Sequence, residues 1–463
     1  MDHSALDAAY QAAVRFLDQL PERKVGSAAG SAEMRAALSG PLPEEGQPAA
    51  RVVEDLARNA DPGLVATAGP RFFGFVIGGS LPAAVGADWL TSAWDQNAGL
   101  FVLSPAAAVV EETVAGWLKE ILGLPAVASL GMVTGGQMAN TTCLAAARHA
   151  VLAAAGWDVE AQGLSGAPRV TVLAGDDAHI TIFGALRLLG FGDASVTRVR
   201  SDGQGRILPE ALRAALAAAS GPVIVCAQAG EVNTGAFDPL DEIVAVARSR
   251  PHVWVHVDGA FGLWAAASGK RRHLARGLEG ADSWATDAHK WLNVPYDSGL
   301  AFIRDAGAHR AAMARSAAYL QRSETDRDNY AFTPEFSRRE RGFAVYAALR
   351  SLGRKGVEAM IDRCCDHALL FAELLSGAPG VRVVNEVVLN QVLVRFERDS
   401  ASPEEGDRWT REVIARVQRD GTCWLSGTVW RGRALMRISV CNWSTTEDDV
   451  RRSVEAILKA HRA

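Results

Sequence analysis

From about residue 128 onward, short β-rich runs alternate with helical stretches. LGMVT, RVTVLAG, VTRVR, PVIVCAQAG, HVWVHVDG, SWATD and GLAFIRD are the strand candidates, most of them followed by a segment of helical spacing. A chain that alternates in this way covers its strands by laying helices on both faces of a largely parallel sheet. Such sheets gather ligands beyond the carboxyl ends of their strands. The residues just after each run are therefore the place to look for chemistry.

The flanks read differently. SALDAAYQAAVRFLDQL has helical periodicity, and KVGSAAGSAEM and SGPLPEEGQP are rich in breakers. SPAAAVVEETVAGWLKEILGLP predicts a long helix with Ser104 as N-cap, stopped by Gly123 and Pro125. The polar stretch Gln321–Gly342 lacks periodicity and predicts a mobile loop, and a long helix follows from about Phe343 to Leu375. VVLNQVLVRFE and ALMRISVCNW then read as strands, and EDDVRRSVEAILKAH as a helix. The expected division is a helical N-terminal segment (1–100), a large α/β domain (101–340) and a small C-terminal α/β domain (341–463).

Acids and bases are mixed along the 463 residues, and the net charge is −5. That argues against a nucleic-acid footprint and a polybasic membrane patch. No apolar run reaches the roughly 18 residues that span a bilayer. Cys143, Cys226, Cys364, Cys365, Cys423 and Cys441 follow no metal or redox spacing. Reduced thiols, and an N-terminus without a basic and apolar leader, predict a cytoplasmic protein.

Three features follow strand candidates. TGGQMANTT (Thr134–Thr142) precedes a helix: Gly135 and Gly136 let the backbone approach a ligand, and the helix N-terminus favours a phosphate. Asp258, in HVDGAFG, ends a strand and can pair with a cationic ring nitrogen. Lys290, in SWATDAHKWL, stands between His289 and Trp291 in a mostly apolar segment, where a lysine becomes a nucleophilic amine suited to imine chemistry. His179, in GDDAHITIF, could stack on a flat ring. Taken singly, each has an ordinary structural reading: a tight turn, an N-cap aspartate, a lysine reaching to water, a core histidine. His252 and His256 are four apart on a strand, too far to share a metal, and read as structural. In this order and together, the cradle, the acid and the amine are what pyridoxal phosphate (PLP) requires.

These motifs resemble the group II PLP-dependent amino-acid decarboxylases of fold type I, a family that includes aromatic-amino-acid and glutamate decarboxylases. DAHKWLNVPYDSGLAF resembles the segment that carries the imine lysine, HVDGAFG the aspartate motif, DDAHITI the ring-stacking histidine segment and TGGQMAN the phosphate loop. The resemblance implies a mainly parallel seven-stranded sheet in the large domain, a smaller C-terminal α/β domain and an N-terminal segment that wraps a partner. It also implies a homodimer with the active site at the interface. PLP would be held by Thr134, Gly135, Gly136, Gln137, His179, Asp258, Ala260, His289 and Lys290. Lys290, His179 and Tyr330 would carry the chemistry, Tyr330 as the loop tyrosine that protonates carbon. The chain departs from relatives at Glu231, Val232 and Asn233, where small hydroxyl residues are frequent, and at Phe75, Val76, Ile77 and Gly78, where aromatic enzymes have an aromatic–proline–threonine run.

The expected reaction is loss of CO₂ from an L-amino acid through an external imine. Phe75, Trp94 and Asn97 are the candidates for holding its side chain: Phe75 and Trp94 make an aromatic or apolar substrate plausible, and Asn97, with Asp95 and Gln96, could serve a polar one instead. Arg437, in ALMRISV, could instead clamp a carboxylate, as many fold type I aminotransferases do. Transamination, aldehyde-forming oxidative decarboxylation and an inert PLP-binding protein are the competing expectations.

Overall fold

The structure is a computed structural model and describes residues 2–317, 320–321, 323, 325–398 and 402–463. Arg322 and Glu324, within the stretch expected to form a loop, lie outside the described residues. Twelve strands are seen among the described residues: β1 (Phe72–Phe73), β2 (Ser129–Val133), β3 (Thr171–Gly175), β4 (Val196–Val199), β5 (Val223–Gln228), β6 (Val253–Asp258), β7 (Ser283–Asp287), β8 (Gly299–Ile303), β9 (Val381–Val383), β10 (Gln391–Phe396), β11 (Trp424–Trp430) and β12 (Arg433–Ser439).

Seven of them form one sheet in the order β2-β8-β7-β6-β5-β3-β4. β7, β6, β5, β3 and β4 run parallel, and β8 lies antiparallel between β2 and β7. The inner strands are buried along their whole length, the signature of a sheet covered on both faces. The helix Gly136–Ala154 packs across β6, β7 and β8. Its Cys143, Leu144 and Ala147 share a core with Val172, Ile224 and Trp254.

The chain divides into two compact units. The larger contains Gly78–Leu369 and Asn385–Val392; the smaller contains Met1–Ile77, Leu370–Val384 and Leu393–Ala463. These bounds differ from the expected 1–100, 101–340 and 341–463. In the smaller unit β1 pairs in parallel with β11, Phe72 opposite Trp424 and Phe73 opposite Leu425, and so joins the N-terminal segment to the C-terminal strands. Phe72 stacks on Trp424 at 5.1 Å, and the buried pair Arg71–Asp449 closes at 3.0 Å. Two adjacent phenylalanines give no local sign of a partner some 350 residues away. The second boundary falls inside the helix Gly342–Ser376, which is broken at Gly353 (φ 61°).

Candidate active site

The carboxyl ends of β2, β6 and β7 meet in the larger unit around a cleft of about 240 Å³. Thr134, Gly135, Gly136, Gln137 and Met138 line it together with His179, Thr181, Ala260, Asp287, His289 and Lys290.

The glycine turn is shaped by crowding. A Cβ on Gly136 would lie 2.8 Å from Asp287 Oδ2, and one on Gly135 3.2 Å from His289 Cε1. Gly299 presses on the backbone of Gly135, so a Cβ there would meet its Cα at 2.5 Å. The helix that starts at Gly136 directs unpaired backbone N–H groups at the cleft, an arrangement that favours a phosphate.

Lys290 answers the question raised by its flanks. His289 and Trp291 are buried, and the Trp291 ring packs near Phe261. Lys290 Nζ lies 2.9 Å from Asp287 Oδ2, and the Asp287 side chain is only 1% exposed. Asp287 Oδ1 faces His289 Nε2 at 3.5 Å and accepts no hydrogen bond. The Ser298 backbone N–H donates to His289 Nδ1 at 3.0 Å, which leaves the proton on Nε2. Burial holds the His289 pKa below its ordinary value, so the ring is neutral at pH 7.

His179 caps the helix Ile180–Leu188, and its Nδ1 lies 2.8 Å from Thr181 Oγ1. Gln228, at the end of β5, steadies that turn by accepting from His179 N and donating to the Asp177 carbonyl. Asp258 does not line the cleft and is 5% exposed. Its Oδ1 accepts from Ala260 N and its Oδ2 from Asn140 Nδ2, each at 3.1 Å.

The structure thus brings Thr134, Gly135, Gly136, Gln137, His179, Ala260, His289 and Lys290 to one cleft; Asp258 does not line it but accepts from the N–H of Ala260, which does. It does not bring Tyr330 there. That ring is buried beside Phe336 at 4.9 Å, in the turn Asn329–Phe332. Trp94 meets Phe343 edge to face, and Asn97 accepts from Gly99 N, so neither lines the cleft. Phe75 and Arg437 belong to the smaller unit: Phe75 stacks near Trp424 at φ 52°, and Arg437 stands opposite Ser426 on β12. Glu231, noted above as a departure, turns inward on its own loop and accepts from Asn233 and Thr234.

Asp287, Thr181 and Asn140 escaped the sequence reading. Asp287 stands one helical turn's spacing before Lys290, and Asn140 four residues after Gly136, a signal that was present in both motifs.

The residues fit PLP. A cradle with no room for a Cβ at Gly136 suits the phosphate, a buried aspartate suits a pyridinium, and an amine stands at the cleft wall. The pyridoxal-dependent decarboxylase conserved domain matches residues 32–397. The chain is 29% identical over 457 residues to an aromatic-L-amino-acid decarboxylase of Bacillus atrophaeus, covering 95% of this chain and 92% of the relative. It is 31% identical over 425 residues to an L-2,4-diaminobutyrate decarboxylase of Rhizobium meliloti, covering 90% and 83%. The crystal structure of Oryza sativa TDC with PLP and tryptamine superposes with a TM-score of 0.92 at 26% identity, covering 100% of this chain and 98% of that one. The chain belongs to the pyridoxal-dependent decarboxylase family and is a PLP-dependent carboxy-lyase of L-amino acids.

Proposed function

We propose that this enzyme decarboxylates an L-amino acid with an aromatic or apolar side chain, using Lys290, Asp258 and His179. The observation that carries the reading is the convergence of Lys290 and His179 on the glycine cradle, with Asp258 accepting from the N–H of Ala260 in the same lining. PLP, when bound, supplies an electron sink for the pair released as a carboxylate leaves as CO₂. Thr134, Gly135, Gly136 and Gln137 would hold its phosphate at the helix N-terminus. Asp258 would keep a proton on its ring nitrogen, Ala260, His179 and His289 would help to hold it, and the Lys290 amine would anchor it covalently. Asp287 keeps the Lys290 amine at the cleft wall.

Phe75, Trp94, Asn97 and Arg437 are the substrate-side candidates. Phe75 in the smaller unit and Trp94 in the larger are 55% and 50% exposed, which supports each as an apolar residue open to a further contact. A homodimer with the active site at its interface is supported by the helices Ser4–Gln19, Ser31–Leu38 and Ala49–Ala60. They bury no residue, and they expose Leu6, Tyr10, Leu38, Val52 and Leu56. Six buried free thiols support a reducing, cytoplasmic setting.

The test incubates the PLP-loaded protein with a mixture of common amino acids and no keto acid, with mass spectrometry of the products. One aromatic or apolar amine that grows as its parent disappears is the expected result. An amine from a charged amino acid would overturn the substrate class.

A further inference from the structure

His256 and Asp258 are two apart on β6 and so project on the same face of the sheet, toward the helix Gly136–Ala154. His256 also stands opposite Ser283 in the β6–β7 register. Between these elements runs a buried chain of side chains. Trp254 Nε1 is 2.9 Å from Ser283 Oγ, Ser283 Oγ is 3.0 Å from His256 Nδ1, and His256 Nε2 is 2.9 Å from Asn140 Oδ1. Asn140 Nδ2 reaches Asp258 Oδ2 at 3.1 Å and Thr181 Oγ1 at 3.4 Å, and Thr181 Oγ1 reaches His179 Nδ1 at 2.8 Å.

The direction of every link is fixed by its ends. The indole N–H only donates and a carboxylate only accepts. Asp258 Oδ2 therefore accepts from Asn140 Nδ2, which turns Asn140 Oδ1 toward His256 Nε2, and a neutral ring that donates at Nε2 accepts at Nδ1 from Ser283 Oγ. The same amino group faces Thr181, which turns the Thr181 hydroxyl toward His179 Nδ1. Burial pushes the His256 pKa down to about 3, so the ring stays neutral and can accept at Nδ1.

We infer that Asn140, oriented by His256, is a positioning residue that fixes Asp258 and His179 as one unit, the acid for the cofactor's ring nitrogen and the imidazole for its face. This rests on the reading of Asp258 and His179 given above. His256, which the sequence reading set aside as structural, is then the device that prevents the Asn140 amide from turning over. With no donor on His256, the amide could present its oxygen to the carboxylate, and Asp258 Oδ2 would lose its hydrogen bond while Oδ1 keeps the one from Ala260 N.

Two measurements test this. In PLP-loaded protein labelled with ¹⁵N-histidine, His256 at pH 7.5 is expected as the neutral Nε2–H form, its signal identified by its loss in His256→Gln. A charged ring or an Nδ1–H form would overturn the inference. By equilibrium dialysis of PLP against apoprotein, His256→Phe should bind about tenfold to a hundredfold more weakly, the scale of one buried group left unpaired. His256→Gln retains a donor and should bind within a few fold of the parent. Parent-like PLP binding by His256→Phe, or equal loss in both variants, would contradict the assignment. Should His256→Phe not fold, the tautomer of the parent protein still decides. Neither readout depends on which amino acid is consumed or which bond breaks, so failure of the proposed substrate class would leave both results standing.

Discussion

The carboxylate of Asp287 lies 2.9 Å from the amine of Lys290, three residues along the chain and at the wall of the same cleft. The acid is 1% exposed and the lysine 21% exposed, so the pair is largely removed from water. Lys290→Ala should therefore do two things. Turnover should fall by several orders of magnitude, because the covalent anchor for PLP is gone. The apoprotein should also lose about 1–3 kcal/mol, because Asp287 is left buried with an uncompensated charge. Turnover assays and urea denaturation check the two effects separately. Retained turnover would remove Lys290 from the mechanism.

Gly78 guards the backbone of the same lysine. A Cβ at Gly78 would lie 1.8 Å from the Lys290 carbonyl oxygen and 3.1 Å from that of His289. Both are main chain and cannot swing aside. Gly78→Ala should cost about 1–3 kcal/mol by overpacking and push Lys290 from its place. The expected signs are a lower melting temperature and a reduced covalent PLP absorbance at saturating cofactor. A variant with parent stability and spectrum would mean that the two segments are not in contact.

Burial holds the pKa of His309 down to about 3, against an ordinary 6.5, and nearby Arg327 adds to the effect. Its ring lies 2.8 Å from Ser129 Oγ and 2.9 Å from the Phe332 carbonyl. Between those two pKa values the unfolded chain binds a proton that the folded protein refuses. This contribution to stability is therefore full above about pH 6.5 and is lost as the pH falls below it, by up to about 1.4 kcal/mol per unit. His256 behaves alike, so the measurement is the difference between the parent and His309→Gln in urea denaturation from pH 7.5 to 4.5. The parent should lose its advantage over the variant as the pH falls. A constant difference would show that His309 takes up its proton over the same pH range in the folded and the unfolded chain.

Tyr330→Phe should leave the product an amine. The Tyr330 backbone N–H donates to the Gly99 carbonyl, and its ring is buried beside Phe336, away from the residues that line the cleft. A shift of product toward aldehyde would place this hydroxyl at the reacting carbon and restore the role that the resemblance assigns it.

What could be read in the sequence was what depends on neighbours along the chain. The strand and helix alternation was visible because parallel strands are buried on both faces and read as continuous apolar runs, as VIVCAQ and VWVHVD do. The cradle, Asp258 and Lys290 were visible because each ends a strand. Asn140 and His256 were not, because their roles come from register: His256 meets Ser283 only where β6 pairs with β7, and Asn140 reaches both residues of β6 only where its helix crosses that strand. The pairing of β1 with β11 was hidden for the same reason, with two residues on one side and a distant strand on the other.

The central claim is that the bond broken at Cα is the one to the carboxylate. Turnover of the PLP-loaded enzyme in deuterium oxide, with the product read by mass spectrometry and NMR, tests it most directly. The account predicts an amine that keeps the parent α-hydrogen and gains one carbon-bound deuterium in place of the carboxylate. A keto acid with the carboxylate retained, accompanied by the pyridoxamine form of the cofactor, would contradict it.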